Sequence, residues 1–228
     1  MTHTDSRVVL VTGSASGIGR ATALAFADAG WTVYATDVDE AGLDPLAAAG
    51  CRTAALDVTD GRAVRDALAR VESEAGRLDC LVNNAGVGVA GPLPAVPLDA
   101  VEHGLEVNAL GPLRVTRAAL PLLERTGGRV LVVSSVLGRV TPPGLGAYAA
   151  SKHALVALTD GFRRELAGTG VRVVGVEPAW VDTGFAAAAR GTRSSPDERR
   201  DSPATRRTVA LLERLSFLDG GPLAVPPE

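Results

Sequence analysis

Tyr148 and Lys152 stand four residues apart in a stretch whose apolar spacing reads as helix. At that separation two side chains leave the same helix face, so a phenol and an ammonium can meet around one reacting group. A free tyrosine titrates near pH ~10, too high for an efficient base at neutrality, and a neighbouring positive charge stabilises its phenolate. The run Val130 to Val133 ends in Ser134-Ser135, a hydroxyl source just ahead of the loop to Tyr148, suited to orienting a carbonyl or alkoxide oxygen. A second apolar run ends in Asn83-Asn84-Ala85-Gly86. Asn108 sits between Val107 and Ala109 inside a helical pattern, where an amide is ordinarily a tolerated surface residue and otherwise needs a partner.

The first apolar run leads directly into Thr12-Gly13-Ser14-Ala15-Ser16-Gly17-Ile18-Gly19-Arg20, followed by a helical pattern. Gly13 and Gly17 permit a tight turn and close approach of backbone to a diphosphate, Gly19 permits close helix packing, and the helix start supplies free N–H donors with a positive dipole end. Gly13, Ser14, Ser16, Gly17, Ile18 and Gly19 form the expected contact set for a dinucleotide. The spacing is G-x-x-x-G-x-G, not the general G-x-G-x-x-G fingerprint. Gly86, Gly88 and Gly91 satisfy that fingerprint, but Pro92, Pro94 and Pro97 follow, so no helix opens there at once. Asp37 closes the second run about twenty residues beyond the turn, placed to accept hydrogen bonds from an adenosine ribose and to repel a 2'-phosphate. With no Arg or Lys between Gly13 and Gly19, NAD(H) is the expected cofactor and NADP(H) the alternative.

The elements that must position these residues alternate. Six Val- and Leu-rich runs, RVVLVTG, WTVYATD, RTAALDV, DCLVNNAG, GGRVLVVSS and GVRVVGVEP, read as strands buried on both faces. Between them, residues 20–29, 41–49, 63–74, 98–124 and 147–167 carry helical spacing. Strand alternating with helix predicts α/β architecture: a doubly wound parallel sheet, Rossmann-like, in three αβα layers, with 1–228 as a single domain. The one composition shift, an Ala run giving way to GTRSSPDERRDSP, makes 184–203 either a substrate lid or a solvated loop.

Bulk properties narrow the function further. Of 228 residues, 46% are apolar but only 4% aromatic, which calls for a core of Ala, Val and Leu. The net charge of -3 argues against a nucleic-acid partner. Cys51 and Cys80 stand far apart, and His3, His103 and His153 are isolated, so neither a disulfide nor a metal site is expected. The N-terminal MTHTDSR has no apolar signal core, and no span is long enough for a bilayer, so a cytoplasmic protein without membrane association is expected.

Thr12-Gly-x-x-x-Gly-x-Gly19, Asn83-Asn-Ala-Gly86, Asn108, Ser135 and Tyr148-x-x-x-Lys152, in this order and at these separations, resemble the short-chain dehydrogenase/reductase family from residue 7 to about 184. NNAGVGVAGPLPAV, VNALGPLRVTRAALP and VVGVEPAWVDTGF resemble most its 17β-hydroxysteroid and retinol dehydrogenase branch. The resemblance implies that Tyr148 is the general acid/base and that Ser135 positions the substrate oxygen. It gives Lys152 the nicotinamide ribose and a lowering of the tyrosine pKa, and Asn108 a water in a proton relay. Asp57 and Val58 would flank the adenine, Asn84, Ala85 and Gly86 would lie along its ribose, Val181 and Thr183 would meet the carboxamide, and Pro178 would also contact the cofactor. The family usually has Pro-Gly after the sixth strand, where this chain has Pro178-Ala179-Trp180. A homodimer or homotetramer is implied, although only a stunted last strand fits 223–225. Val87, Val136, Leu137, Val140, Pro142, Leu145, Trp180 and Phe185 are expected as apolar walls, which favours a neutral ketone or secondary alcohol. Two other readings stand: a 3-oxoacyl or polyketide ketoreductase docking a carrier on Arg139, Arg163 and Arg190, and a non-catalytic dinucleotide sensor.

Overall fold

In the computed structural model, which describes residues 6–179, 203 and 205–208, each of the six apolar runs is a strand. They are β1 (Val8–Thr12), β2 (Thr32–Asp37), β3 (Arg52–Ala55), β4 (Cys80–Asn83), β5 (Arg129–Val133) and β6 (Arg172–Val176). All pair in parallel, in the order β3-β2-β1-β4-β5-β6. The chain runs outward from β1 to β3, then crosses back to lay β4 against the other side of β1, with Val9 opposite both Val33 and Cys80. That reversal opens a crevice at the carboxyl ends of β1 and β4, where ligands bind in open α/β sheets.

The two-residue period of the strands divides the core into two layers. Val9, Val11, Val33, Ala35 and Val82 pack on one face with Ala23 of α1 (Gly17–Asp28) and Leu46 of α2 (Asp44–Ala48). Val8, Leu10, Leu81, Val130 and Val132 pack on the other. They meet Val64 and Leu68 of α3 (Gly61–Ala75), Val115 and Leu123 of α5 (Gly111–Thr126), and Leu155 of α6 (Gly146–Glu165). Cys51 and Cys80 are buried, unpaired thiols. No helix among the described residues is long and apolar enough to cross a membrane.

The structure corrects one element. The pattern over 98–124 reads as a single helix, but the chain forms α4 (Leu98–Leu105), one π-helical turn (Glu106–Leu110) and then α5. The wide turn contains Asn108, and such turns commonly mark functional places. The Gly86-x-Gly88-x-x-Gly91 stretch is loop, and the next helix opens only at Leu98. Trp180, Val181, Thr183, Phe185, Arg190, the expected lid apart from Pro203, and the strand expected at 223–225 all lie outside the described residues.

Candidate active site

A cavity of about 510 Å³ fills the crevice, and every strand end contributes to it. Gly13, Ser16, Gly17 and Ile18 follow β1, Asp37 ends β2, and Asp57 and Val58 follow β3. Asn84, Ala85 and Gly86 follow β4, Ser134 and Ser135 follow β5, and Pro178 and Ala179 follow β6. Tyr148 and Lys152 enter from α6.

The glycine turn is required by its surroundings. Gly13 has a φ of 68°, and a Cβ there would lie 2.6 Å from the Ala85 Cα. At Gly19 a Cβ would lie 2.0 Å from the Gly13 carbonyl oxygen, so this glycine serves helix packing and stands behind the cavity wall. Thr12 and Asn84 tie the turn to the end of β4. The Thr12 hydroxyl accepts from the Asn84 and Ala85 N–H groups, and the Asn84 amide donates to the Thr12 and Gly13 carbonyls at 3.1 and 2.8 Å. At the start of α1 the Ser16 side chain makes no capping bond and the first turn holds no acid. Its N–H groups and positive end are therefore left for an anion, which fits a bound diphosphate. Ser14 differs from expectation: its side chain is fully buried and donates to the Val11 carbonyl, away from the cavity. Asp37 accepts from the Ala15 N–H at 2.8 Å and the Asp39 N–H at 3.0 Å, one bond to each oxygen. A carboxylate retains lone pairs beyond two such bonds, so Asp37 braces the turn and can still accept from a ribose.

The reacting groups converge at the ends of β5 and α6. Ser135 caps the short helix Val136–Gly138, its Oγ accepting from the Leu137 N–H at 3.1 Å, and it shares the cavity wall with Tyr148, close enough to lower the pKa of the phenol. Lys152 Nζ donates to the Val133 carbonyl at 3.1 Å and stands 5.7 Å from the Tyr148 ring centre. Both side chains are buried, at 8% exposure for Tyr148 and 4% for Lys152. Burial pushes the Tyr148 phenol well up, against a smaller lowering by the Ser135 hydroxyl, and it pushes Lys152 down to about 8. Of these two influences on the phenol, desolvation is the larger. The phenol is held protonated, as a proton donor.

Asn108 is completely buried. Its Oδ1 accepts from the Val87 N–H at 2.8 Å, and its Nδ2 donates to the Val87 carbonyl and to Ser151 Oγ, both at 2.9 Å. Both amide protons are paired within the protein, and the side chain is not on the cavity wall. It ties the loop after β4 to α6, one residue before Lys152. The expected apolar walls divide. Val87 faces the cavity, Leu137 and Leu145 pack with Ala90, Tyr148 and Ala149 in a small buried cluster joined by Val136, and Val140 is exposed. Sequence reasoning missed His103 and Val107 as wall residues. Their spacing of four on one helix face was the available signal.

Crevice, turn and hydroxyl cluster define the class of doubly wound dinucleotide-binding proteins. The chain belongs to the short chain dehydrogenase family, which it matches over residues 7–194. It is 43% identical over 182 residues to human retinol dehydrogenase 5, a match covering 77% of this chain but 57% of that protein. It is 34% identical over 209 residues to the 3-oxoacyl-acyl-carrier-protein reductase of Thermotoga maritima, covering 89% of this chain and 82% of that one. Among solved structures it superimposes on a Burkholderia phymatum short chain dehydrogenase in complex with NAD, with a TM-score of 0.82 and 31% identity. That superposition covers 98% of this chain and 83% of the other.

Proposed function

We propose that the chain is a nicotinamide-dependent oxidoreductase that interconverts an apolar ketone and its secondary alcohol, with NAD(H) preferred. The observation that carries this reading is the buried cluster of Tyr148, Ser135 and Lys152 on the wall of the same cavity as the open start of α1. The dinucleotide would lie with its diphosphate on Gly13, Ser16, Gly17 and Ile18 and its adenosine ribose at Asp37. Asp57 and Val58 would flank the adenine, Asn84 to Gly86 the ribose edge, and Lys152 the second ribose. Pro178 would meet the carboxamide together with Val181 and Thr183. When bound, the nicotinamide supplies or takes up the hydride.

Chain residues handle the proton. The Ser135 hydroxyl, its oxygen fixed by the Leu137 N–H, keeps its own proton to donate to the substrate oxygen. In the reducing direction Tyr148 Oη gives its proton to that oxygen as charge develops, and in the oxidising direction it takes the proton back. Lys152 favours the phenolate while it carries its charge. Asn108 keeps α6 and the loop after β4 in register.

Resemblance to retinol dehydrogenases and the Val87, Val107 and Val133 walls support an apolar substrate. Likeness to the Thermotoga reductase supports a second reading, reduction of a carrier-bound 3-oxoacyl group. Against a basic docking surface, Arg139 is paired with Glu177, and Arg163 with Asp160. Fluorescence titration with NADH and NADPH, then turnover of apolar ketones and of 3-oxoacyl thioesters, separates the two. Tighter NADH binding with ketone turnover supports the first reading, and NADPH with thioester turnover supports the second.

A further inference from the structure

We propose that Arg139 and Glu177 form a positioning clamp that holds Ser135 in place beside Tyr148 on the cavity wall. The proposal rests on the reading of Ser135 and Tyr148 as the reacting pair, and adds two residues that touch neither. Ser135 begins a single short turn of helix and Arg139 closes it, with Gly138 N–H donating to Ser135 and Arg139 N–H donating to Val136. The start of that turn is tied to β6 by backbone bonds, Ser134 N–H to the Val176 carbonyl at 2.8 Å and Val136 N–H to the Pro178 carbonyl at 2.9 Å. Between those two acceptors in sequence stands Glu177. The Arg139 guanidinium reaches it as a fork, Nη2 to Oε1 at 2.8 Å and Nε to Oε2 at 3.2 Å. Nε also lies 3.1 Å from Oε1.

The turn is thereby fastened at both ends to one short length of chain, residues 176–178, and its underside rests on α6. A Cβ at Gly138 would meet Val156 at 2.8 Å and the Lys152 carbonyl at 3.1 Å. With the fork cut, the far end of the turn loses its tie to residues 176–178, while the bonds at its start and within the turn remain. The Leu137 N–H that fixes Ser135 Oγ lies between the two ties. A planar two-point pair sets orientation where a single ammonium cannot, so lysine is not an adequate replacement for Arg139. The pair is partly exposed, with side chains 55% and 33% accessible, which suits a positioning device better than a source of stability.

The protein has two tyrosines, Tyr34 and Tyr148, so tyrosine labelled with carbon-13 at Cζ gives two resonances, assigned by Tyr148→Phe. Arg139→Met, Arg139→Lys and Glu177→Gln should each move the Tyr148 resonance toward its position in Ser135→Ala and leave Tyr34 in place. The exchanged pair Arg139→Glu with Glu177→Arg should return it. With a ketone substrate the single variants should lose about tenfold in kcat at little change in KM. A Tyr148 resonance that stays put in Arg139→Met and Glu177→Gln overturns the proposal, as does a kcat loss without that movement. The resonance reads the clamp without turnover, so a protein that reduces no carbonyl compound would defeat the proposed activity and leave the clamp standing or falling on the spectrum.

Discussion

Tyr148 and Lys152 show how far residue type and spacing reach. Their shared helix face was legible because four residues make about one turn, and Ser135 because it ends an apolar run. Their protonation was not legible, since it depends on burial that only the assembled layers create. Tyr148→Phe removes the proton and little else, and turnover should fall by about 10³-fold while the NADH dissociation constant stays within about twofold. Stopped-flow rates and fluorescence titration check the two halves. Lys152 titrates near 8 in the folded protein against an ordinary 10.5, so between those values the unfolded chain holds the extra proton. Its burial therefore costs stability at low pH, and the cost is relieved as pH rises through about 8 toward 10.5. Urea unfolding should show wild type gaining on Lys152→Met across that window, by on the order of 3 kcal/mol. Tyr148 and Cys80, both raised by burial, act in the opposite direction but are common to both proteins.

At the scale of elements, the six strands were legible because buried parallel strands demand unbroken Val and Leu runs. The π-helical turn was not, because a single turn is too short for its wider spacing to stand out from the helical pattern on either side. Asn108 lies in it, and its three bonds join Val87 to Ser151. Asn108→Ala leaves those groups buried and unpaired, and should lower unfolding free energy by about 2–4 kcal/mol in urea titration. Ser14 was misplaced because loop residues have no period from which to read a direction. The glycine turn is stricter. A methyl at Gly13 meets backbone at 2.6 Å in a left-handed conformation, so Gly13→Ala should weaken NADH binding by at least about 100-fold. Calorimetric titration checks that value.

At the scale of the whole molecule, one crevice at the strand reversal gathers residues from all six strand ends and from α6. That gathering followed from alternation alone, since strands joined by crossover helices run parallel and so end at the same edge of the sheet. Asp37 lines the cavity and is expected to set cofactor choice, so Asp37→Ala should erode the preference for NADH over NADPH by about tenfold or more. Because Asp37 also braces Ala15, the same change should weaken NADH itself, and paired titrations separate the effects. The chain spans 57% of the length of human retinol dehydrogenase 5. The proton role of Tyr148 is tested most directly by turnover of a panel of apolar ketones with NADH, wild type beside Tyr148→Phe, with NADH binding measured on both. Ketone reduction by wild type, its loss in the variant, and equal NADH binding by both are expected. Turnover that survives in Tyr148→Phe would contradict the assignment of the proton to that phenol.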